Sequence, residues 1–538
     1  GTAKDDKDKP VKVTIDLDGI GNRILSLPIP PRNYEEIATG KAGILYLFEG
    51  SPVGRSSSEN DEADIRAIWR FTLEKRHPEV VLNDLDHFTV SHDGSKVLYA
   101  RKDGWTIAPS DDLKPGNDNP GKPLNLGGMQ TTIDPRAEWR QIYHETWRIQ
   151  RDFLYDPNIH GLSIPKIEAK YKPYLDSLAS RDEFTYLNIE MLGEVTIGHM
   201  FVGGPRPHDT SPKTGLLGAD YKIENGRYRI VKILGGQNWT PGLASPLTLP
   251  GVYVKEGEYL LAVNGRELHA SDNLYQFFDG TAGKQTVLHV GPNPDGKDAR
   301  DVTVIPIDDE DGLRNIDWVE GNRRKVDQLS GGKVAYVYMP NTGGSGYSSF
   351  NRYFYSQLNK QALVLDERWN EGGLIADYVV DVLKRFPLSG AKERDGLPIH
   401  DPVGAIFGPK VMLINQNSGS GGDAMPWYFK KAEVGKLIGT RTWGGLVGIG
   451  GYPPLIDGGY VMAPRYAIFG LHGEWEVENH GIAPDVPVEE LPKDFSEGHD
   501  KQLEIGVQTV LDELKTTTLP AFPIPAYPNY HKDDGLGK

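Results

Sequence analysis

Residues 11–110 consist mainly of short segments in which apolar and polar residues alternate. The clearest of these segments are VKVTIDL (11–17), GILYLF (43–48), AIWRFTL (67–73), HFTVS (87–91) and KVLYA (96–100). Alternation with a period of two is typical of strands that bury one face, and clusters of turn-forming residues separate the segments. The pattern predicts an all-β region, which ends at a Pro/Gly/Asn-rich linker over residues 114–125.

Beyond this linker the apolar positions change to a helical spacing. Three segments predict helices: AEWRQIYHETWRIQRDFLY (137–155), IPKIEAKYKPYLDSLA (164–179) and FTYLNIEMLGEV (184–195). Ser180 and Glu183 have the spacing of a capping box in front of the third helix. The next segment, EVTIGHMFVGG (194–204), is predicted to be strand-like with His199 in its middle. His199 lies between Gly198 and a strand, a setting that exposes the imidazole at a strand end.

A second β-rich region covers residues 211–308. YRIVKIL (228–234) and GEYLLAVNG (257–265) predict strands, and NLYQFFDG (273–280) predicts a short helix. Glycines cluster around turn positions throughout this region. We therefore expect a separate small domain here.

Residues 325–490 alternate apolar runs of strand length with helical segments. The predicted strands are VAYVYM (334–339), ALVLDE (362–367) and KVMLIN (410–415), and LIADYVVDVLKRF (374–386) is a predicted helix. Such alternation is typical of a layered α/β fold with mostly parallel strands. The chain ends with a predicted helix over residues 500–516. The proline-rich tail at residues 519–528 is expected to pack along the surface as an extended arm.

The overall composition limits the possible functions. The chain has 538 residues, of which 38% are hydrophobic and 25% charged, values typical of a globular protein with several domains. Its formal net charge of −16 argues against binding to nucleic acid or to an anionic membrane. No apolar run is long enough to span a bilayer. Gly1–Pro10 (GTAKDDKDKP) is interpreted as a solvated linker without a signal peptide, so we expect a processed or truncated piece of a longer protein.

The chain contains no cysteine. This excludes disulfides, thiolate nucleophiles and cysteine-ligated metals. Its 14 histidines include no HExxH or similar ligand spacing, so we expect neither a metal nor another cofactor.

A serine in a glycine-rich loop is the leading catalytic candidate. VMLINQNSGSGGD (411–423) is a strand-length run followed by this loop, and Asp423 is predicted to be the N-cap of the next helix. Ser420 has glycines on both sides, so a substrate backbone can approach it, and the N–H of Gly421 is placed to stabilise an oxyanion. Ser418, two residues earlier, is a rival candidate. An ordinary glycine-rich turn without chemistry is the structural alternative.

A second glycine turn follows another predicted strand. In LVLDERWNEGG (363–373) the strand ends in charged residues, and Gly372 and Gly373 introduce a helix. The carboxyl ends of neighbouring parallel strands meet at one sheet edge, where ligands bind in α/β folds. We therefore expect both glycine turns at the same edge.

A serine hydroxyl needs a base, normally a histidine that a third group orients. His472 and His480 are nearest to Ser420 in sequence, but nearness in sequence means little for a catalytic triad. His199 has a glycine on its N-terminal side, yet most histidines have structural roles. Glu478, in VENHGIAPDVPVE (477–489), precedes a turn and is a candidate for orienting an imidazole.

Two regions resemble known folds. FTVSHDGSKVLYA (88–100), with a turn at His92–Asp93–Gly94, is similar to the repeat of WD-type β-propellers, and a small β-sandwich is the alternative. Residues 211–310 resemble a PDZ domain of the bacterial, protease-associated type. This resemblance implies that the backbone N–H groups of four consecutive residues receive a peptide C-terminal carboxylate: Gly215, Leu216, Leu217 and Gly218.

The ordered set of motifs resembles a peptidase family. GHM, the PDZ-like unit, LDERWNEGG, NQNSGSGGDAMPWYF and VENHGIAPD occur in the order found in the C-terminal half of the tricorn protease family. These are serine peptidases related to the C-terminal-processing (tail-specific) peptidases. The similarity covers roughly residues 130–490.

The resemblance implies a role for each motif residue. Ser420 matches the nucleophile, His199 the general base and Glu478 the acidic residue of the charge network, while the N–H groups of Gly373 and Gly421 match the oxyanion hole. One position departs from the family pattern. Members commonly have a serine before the catalytic histidine that links it to the glutamate, and this chain has Gly198 there. A water, or a direct contact between Glu478 and His199, would have to replace that link.

The expected function is that of a serine endopeptidase or oligopeptidase that cleaves short or unfolded peptides through an acyl-enzyme. The resemblance further implies a homo-oligomer (a hexamer in the family's best-known form), a β-propeller region that continues upstream and filters substrates, and a soluble cytoplasmic protein. Export to the periplasm is the open alternative for its location.

Two other functions remain as alternatives. The first is a catalytically silent peptide-binding scaffold of PDZ and propeller modules. The second is the Ser–Lys mechanism of the tail-specific branch, for which Lys430, Lys431 and Lys436 follow Ser420 in the sequence.

The predicted fold class is a multidomain chain of five parts. They are a partial β-propeller (1–112), a mixed helical subdomain with the catalytic histidine (126–208), a PDZ-like β domain (211–310), an α/β crotonase-like layered core with the nucleophile (325–492), and a C-terminal helix with a proline-rich tail (493–538).

Overall fold

The computed structural model describes residues 14–50, 66–102, 104–205, 211–240 and 242–537. The chain forms two compact units, residues 1–131 and 132–538. The predicted linker Gly1–Pro10 lies outside the described residues. No helix in the described part of the chain is long and apolar enough to cross a membrane.

The first unit contains two four-stranded antiparallel sheets, each formed by consecutive strands. The first sheet has β1 (Tyr34–Thr39), β2 (Ile44–Glu49), β3 (Ala67–Thr72) and β4 (His77–Asn83). The second has β5 (His87–Val90), β6 (Lys96–Arg101), β7 (Gly104–Pro109) and β8 (Lys122–Pro123). The turn at 92–94 is confirmed, since the Asp93 carboxylate accepts from the Ser91 and Ser95 side chains. The prediction of a strand at VKVTIDL is wrong for residues 14–17, which form no strand.

The second unit begins with a helical subdomain made of α1 (Pro135–Phe153), α2 (Ile164–Tyr171) and α3 (Arg181–Gly193), followed by β9 (Val202–Gly203). Ser180 caps α3 as predicted, because its side chain accepts the N–H of Glu183. The second helix is shorter than predicted. Pro173 has no N–H to continue the α-helical bonding, and a 3-10 segment replaces it over Lys172–Ser177.

An antiparallel sheet follows, with strand order β10-β11-β12-β14-β15 and β13 paired with β12. Its strands are β10 (Ala219–Glu224), β11 (Arg227–Ile233), β12 (Tyr259–Val263), β13 (Arg266–Glu267), β14 (Thr286–Gly291) and β15 (Arg300–Val304). The predicted short helix is the 3-10 segment Leu274–Phe278.

The loop predicted to bind a peptide carboxylate is already bonded within the chain. The N–H of Gly215 donates to the Phe278 carbonyl (2.9 Å), and the N–H of Leu216 donates to the Ile307 carbonyl (2.7 Å). The N–H of Gly218 donates to the Glu310 carboxylate (3.2 Å). The prediction that these four N–H groups, including that of Leu217, await a ligand is therefore wrong for three of them. The segment after β15 supplies their acceptors.

The last region is an α/β layer around a parallel sheet of order β16-β17-β20-β21-β25. Ten strands lie in this region, and five of them form the parallel sheet. The ten are β16 (Val334–Tyr338), β17 (Ala362–Asp366), β18 (Ser389–Ala391), β19 (Ile399–Asp401), β20 (Lys410–Ile414), β21 (Lys436–Gly439), β22 (Val447–Gly448), β23 (Tyr460–Val461), β24 (Tyr466–Ala467) and β25 (Val486–Pro487). Its helices are α4 (Asp311–Ser330), α5 (Gly344–Tyr355), α6 (Ala376–Leu383), α7 (Gly421–Lys431), α8 (Pro492–Ser496) and α9 (Lys501–Leu514).

The C-terminal helix α9 belongs to the core of this layer. Its Leu503, Val507 and Val510 are buried against the strands of the sheet. The predicted boundary between residues 492 and 493 therefore divides a single hydrophobic core. The proline-rich tail is extended, as predicted, and Phe522 stacks on His400 with ring centroids 5.1 Å apart.

A short pairing connects the helical subdomain to the α/β layer. β9 pairs with β23 in antiparallel register. Leu455, Val461 and Ala463 complete the core around Trp147 and Phe184. This brings the segment that contains His199 next to the α/β layer.

Candidate active site

The two predicted glycine turns lie side by side. β17 and β20 are adjacent parallel strands, so the segments that follow them leave the sheet at the same edge. The N–H of Gly419 donates to the Asn370 carbonyl (3.0 Å), and the Ser418 hydroxyl donates to the Glu367 carbonyl (2.9 Å). The expectation that both turns meet at one sheet edge is confirmed.

Ser420 is the N-cap of α7 and has a strained backbone. Its φ of 57° and ψ of −112° are unusual for a residue with a side chain. The helix begins at Gly421, so the prediction that Asp423 is the N-cap is wrong by three residues. Glycines at 421 and 422 let the helix start directly after the serine. The hydroxyl-bearing residue thus lies at the positive end of the helix dipole.

Asp423 connects the Ser420 turn to a second loop. Its buried carboxylate accepts the N–H of Ser420 (3.0 Å), the hydroxyl of Thr442 (2.5 Å), and the N–H groups of Gly444 (2.8 Å) and Gly445 (3.1 Å). Burial raises the pKa of Asp423, and these hydrogen bonds oppose the increase. The carboxylate therefore fixes the loop 442–445 relative to the serine.

Two backbone N–H groups beside Ser420 have no acceptor in the described residues, those of Gly373 and Gly421. A Cβ added to Gly421 would lie 2.7 Å from the Gly373 nitrogen and 1.9 Å from Thr342 Oγ1. Gly373 has a φ of 132°, and a Cβ there would lie 2.3 Å from the Thr342 carbonyl. Only glycine fits at these two positions, and the two donors adjoin one another as an oxyanion hole requires.

Thr342 holds the Gly373 segment in place. Its carbonyl accepts the N–H groups of Leu374 (2.7 Å) and Ile375 (3.0 Å), and its own N–H donates to the Gly372 carbonyl (2.8 Å). Its fully buried hydroxyl has no hydrogen-bond partner among the described residues. Gly373 and Thr342 thus form an isolated parallel bridge in which the N–H of Gly373 takes no part.

His199 lies in the same cavity as Ser420, with 7% of its surface exposed. The prediction of a strand around it is wrong, since positive φ values at Thr196 (58°) and His199 (61°) break the extended backbone. Its ring packs against Trp443 (centroids 5.2 Å apart) and Phe201 (5.7 Å). Burial lowers the pKa of His199. No hydrogen bond joins its ring to the Ser420 hydroxyl in the described structure, and its Nδ1 is buried without a partner there.

Glu478 contacts the backbone next to His199. Its Oε1 accepts the N–H of Gly198 (2.6 Å), and its Oε2 accepts the N–H of Leu446 (2.6 Å). Burial raises the pKa of Glu478, and these two bonds oppose the increase. A direct hydrogen bond between Glu478 and His199, one of the two links expected from the sequence, is not formed. The carboxylate instead contacts the backbone of the residue before the histidine.

The cavity that contains these groups has a volume of about 760 Å³. Ser420, His199, Gly373 and Gly421 line one side of it. Apolar side chains line much of the rest: Phe201, Leu374, Tyr428, Trp443, Ile449 and Tyr466. Among the described residues, no group of three or more potential metal ligands is present.

The lysines of the alternative Ser–Lys mechanism lie in ion pairs outside this cavity. Lys430 pairs with Asp485 (2.7 Å), Lys431 with Glu476 (2.8 Å) and Lys436 with Glu513 (2.8 Å). Among the residues that the structure describes, no lysine lines the cavity.

Sequence reasoning missed three residues of the site: Asp423 as a connector, Thr342 as a support and Trp443 against the imidazole. Each makes its contacts with residues far away in the chain. The only local signal was the position of Asp423, three residues after Ser420, where a carboxylate can accept the serine N–H.

Family models match three parts of the chain. The chain matches the models described as Tricorn protease C1 domain (residues 135–193), Tricorn protease PDZ domain (215–309) and Peptidase family S41 (333–488). It thus combines a PDZ domain and an S41 domain in a multidomain fold with both helices and sheets.

Relatives align with nearly the whole chain. Tricorn protease homolog 1 of Streptomyces coelicolor is 34% identical over 96% of this chain and 48% of its own length. The tricorn protease of Thermoplasma volcanium is 28% identical over 94% of this chain and 49% of its own. The chain therefore spans about half the length of these relatives.

A solved structure gives the same result. The crystal structure of the tricorn protease superposes with a TM-score of 0.82 at 26% identity, and it covers 91% of this chain and 47% of that one. The resemblance expected from the motifs is confirmed. The chain is thus similar to the tricorn protease family in sequence, in three matched domains and in fold.

Proposed function

We propose that the chain is a serine peptidase that hydrolyses short or unfolded peptides through an acyl-enzyme. The observation that supports this most is the position of Ser420. It lies at a helix N-terminus, in a strained turn, beside two backbone N–H groups without acceptors and in the same cavity as a buried histidine. A glycine-rich turn with only a structural role needs none of these features.

The groups have distinct tasks in the proposed reaction. Neutral His199 accepts the proton of Ser420 as Oγ attacks the scissile carbonyl carbon. The N–H groups of Gly373 and Gly421 stabilise the oxyanion of the tetrahedral intermediate. His199 then protonates the leaving amine, the C–N bond breaks, and an ester with Ser420 remains. A water that gives its proton to His199 hydrolyses this ester.

The proposal is tested by digestion of an unfolded peptide mixture followed by mass spectrometry. Internal cleavage products that increase with time support a peptidase. The scaffold alternative expects peptides to bind and remain intact. Reaction of the Ser420 hydroxyl also distinguishes the two, because a scaffold needs no reactive serine.

The rate is expected to depend on the protonation of His199. Only neutral imidazole can accept the serine proton, so kcat/KM falls as the pH decreases through the pKa of His199. Because burial lowers that pKa, the midpoint is expected below the ordinary value of about 6.5. A kcat/KM profile from about pH 5 to about pH 8 measures it, and NMR titration of the imidazole in Ser420→Ala assigns it. A midpoint above about 7 would contradict the proposed environment of His199.

Gly198→Ser is expected to increase kcat/KM about threefold to tenfold, which corresponds to one charge-assisted hydrogen bond. A Cβ at residue 198 would lie 3.3 Å from Glu478 Oε1, so we expect a serine hydroxyl there to bond this carboxylate and also to bond the unpartnered Nδ1 of the adjacent His199. The same Cβ would lie 3.1 Å from the Gly445 Cα, which must shift slightly.

Gly198→Ala is the matched control, since it adds the Cβ without the hydroxyl. Comparison of kcat/KM for the two variants isolates the hydrogen bond. Equal rates in both variants would show that Glu478 does not act through Nδ1 of His199.

The wider organisation is also part of the proposal. We assign the two four-stranded sheets of the first unit to β-propeller blades, because each is a consecutive antiparallel meander. The α/β layer is assigned to a crotonase-like core. Peptide substrates and a homo-oligomer follow from the family resemblance, and analytical ultracentrifugation tests the latter.

A further inference from the structure

A pocket lined by aromatic rings adjoins the active-site cavity. Trp318 of α4, Tyr338 at the end of β16, Pro340 and Trp369 form its walls, with Asn315 and Glu371 at its edge. We call this set the aromatic pocket, and its volume is about 460 Å³. Glu371 lines both this pocket and the cavity that contains Ser420. The two spaces therefore meet at one side chain.

The aromatic rings of the pocket are nearly perpendicular to one another. The Trp318 and Tyr338 ring centroids are 4.9 Å apart with planes at 87°, and those of Trp318 and Trp369 are 5.8 Å apart with planes at 80°. The side chain of Trp369 is 38% exposed, although the preceding residue, Arg368, is fully buried. Nearly perpendicular aromatic rings with one open side are the arrangement that binds organic cations.

The backbone around the pocket is held rigidly. The N–H of Trp369 donates to the Asn415 side chain (3.1 Å), and the N–H of Glu371 donates to the Pro340 carbonyl (3.1 Å). Trp369 has a φ of 60°, so this loop is kept in a conformation that a tryptophan rarely adopts. The pocket is preformed, which lowers the entropy cost of binding.

The charges near the pocket favour a cation. Arg368 lies over both indole rings on the buried side, at 5.7 Å from Trp318 and 5.5 Å from Trp369. Its guanidinium is bonded to the carboxylates of Asp366 and Asp500 and also contacts Glu490. One guanidinium thus faces three carboxylates. Within the described parts of the chain no cation pairs with Glu371 at the open edge of the pocket, so its carboxylate adds negative charge there.

We propose that the aromatic pocket is a substrate subsite for an organic cation: a lysine or arginine side chain, or the N-terminal ammonium, of the bound peptide. The inference rests on the proposed peptidase function. Trp369 precedes Gly373 by four residues, a distance of at most about 14 Å along the chain. The cation would therefore belong to a residue within about four positions of the scissile bond.

The subsite is tested with paired peptides. Lysine is placed in turn at each of the four positions on either side of the cleaved bond of one quenched fluorescent substrate, and norleucine replaces it in the paired peptide. At one position, wild type is expected to prefer lysine about tenfold in kcat/KM. Acetylated and free N-termini form a second pair, which distinguishes the ammonium from a side chain as the source of the cation.

Substitutions at two residues of the aromatic pocket test whether it causes the preference for lysine. Trp318→Leu and Glu371→Gln are each expected to lower the preference to about threefold or less, while Trp318→Phe keeps part of it. Glu497→Gln makes the same charge change at an exposed site on α8's C-terminal end and is expected to leave the preference unchanged. A preference that survives both Trp318→Leu and Glu371→Gln would overturn the assignment.

Binding to the Ser420→Ala variant separates the subsite from the reaction. Tryptophan fluorescence is used to measure Kd for each lysine and norleucine peptide, and the same tenfold difference is expected. If wild type cleaves no peptide, the proposed peptidase function fails while this titration still decides the subsite. Equal Kd values for every pair, including the two N-terminal forms, would show that the pocket binds no cation.

Discussion

Ser420→Ala is expected to lower peptide turnover by at least about three orders of magnitude while the fold is retained. Of the hydroxyls in the described parts of the chain, the variant removes the one that lies in the cavity, at the helix N-terminus and beside the N–H groups of Gly373 and Gly421. The Cβ remains, so the strained turn and the bond from its N–H to Asp423 are kept. Initial rates with a fluorogenic peptide, together with circular dichroism, measure both parts of the expectation.

Ser418→Ala is the matched control, since this serine is the rival candidate in the same loop. Ser418 is fully buried, and its hydroxyl donates to the Glu367 carbonyl (2.9 Å) rather than to the cavity. Its loss is expected to lower the free energy of unfolding by about 1–3 kcal/mol, the cost of an unpaired buried acceptor, and to keep turnover. The opposite result, with Ser418→Ala inactive and Ser420→Ala active, would assign the nucleophile to Ser418.

His199→Ala is expected to cause a loss of similar size, about three to four orders of magnitude in kcat. Without the imidazole, no neutral base from the described residues lines the cavity with the hydroxyl of Ser420, because the other ionisable groups that they contribute are Glu371, Asp377 and tyrosines. The residual rate of the variant is expected to be independent of pH over about pH 6 to 8, since the titrating group is gone. Added imidazole is expected to restore part of the rate through the space that the side chain leaves.

His472→Gln is the control for this variant. His472 is nearer to Ser420 in sequence but lies on an exposed turn outside the cavity. Its replacement is expected to leave kcat/KM unchanged. If His199→Ala retained the wild-type pH profile, a different group would have to be the base.

Local patterns were sufficient to predict the edge of the sheet where Ser420 lies. Apolar runs of strand length followed by glycines at 372–373 and 421–422 predict two turns at the carboxyl ends of parallel strands, and the pairing of β17 with β20 confirms them. The same glycines explain why two N–H groups can approach each other there. An apolar run and the glycines directly after it are enough to predict where a strand ends and a turn begins.

Contacts between distant segments could not be predicted in this way. His199 was expected on a strand, but its backbone turns to bring the ring against Trp443, which is more than two hundred residues further along the chain. Asp423 has the spacing of a helix cap, yet it also binds Thr442, Gly444 and Gly445. Such roles depend on which loops become neighbours.

The PDZ-like loop shows the same limit. Gly215–Gly218 has the sequence of a loop that offers free N–H groups, whereas the fold supplies Phe278, Ile307 and Glu310 as acceptors. The Glu310 carboxylate is further held by Arg314 (2.6 Å). Composition within the loop says nothing about an acceptor that arrives from almost one hundred residues away.

The identity of the nucleophile is tested most directly by reaction with a fluorophosphonate, followed by mass spectrometry of the digested protein. One adduct on Ser420 is expected in wild type, a strongly slowed reaction in His199→Ala, and none in Ser420→Ala. An adduct on another serine, or labelling of Ser420→Ala at the wild-type rate, would contradict the account.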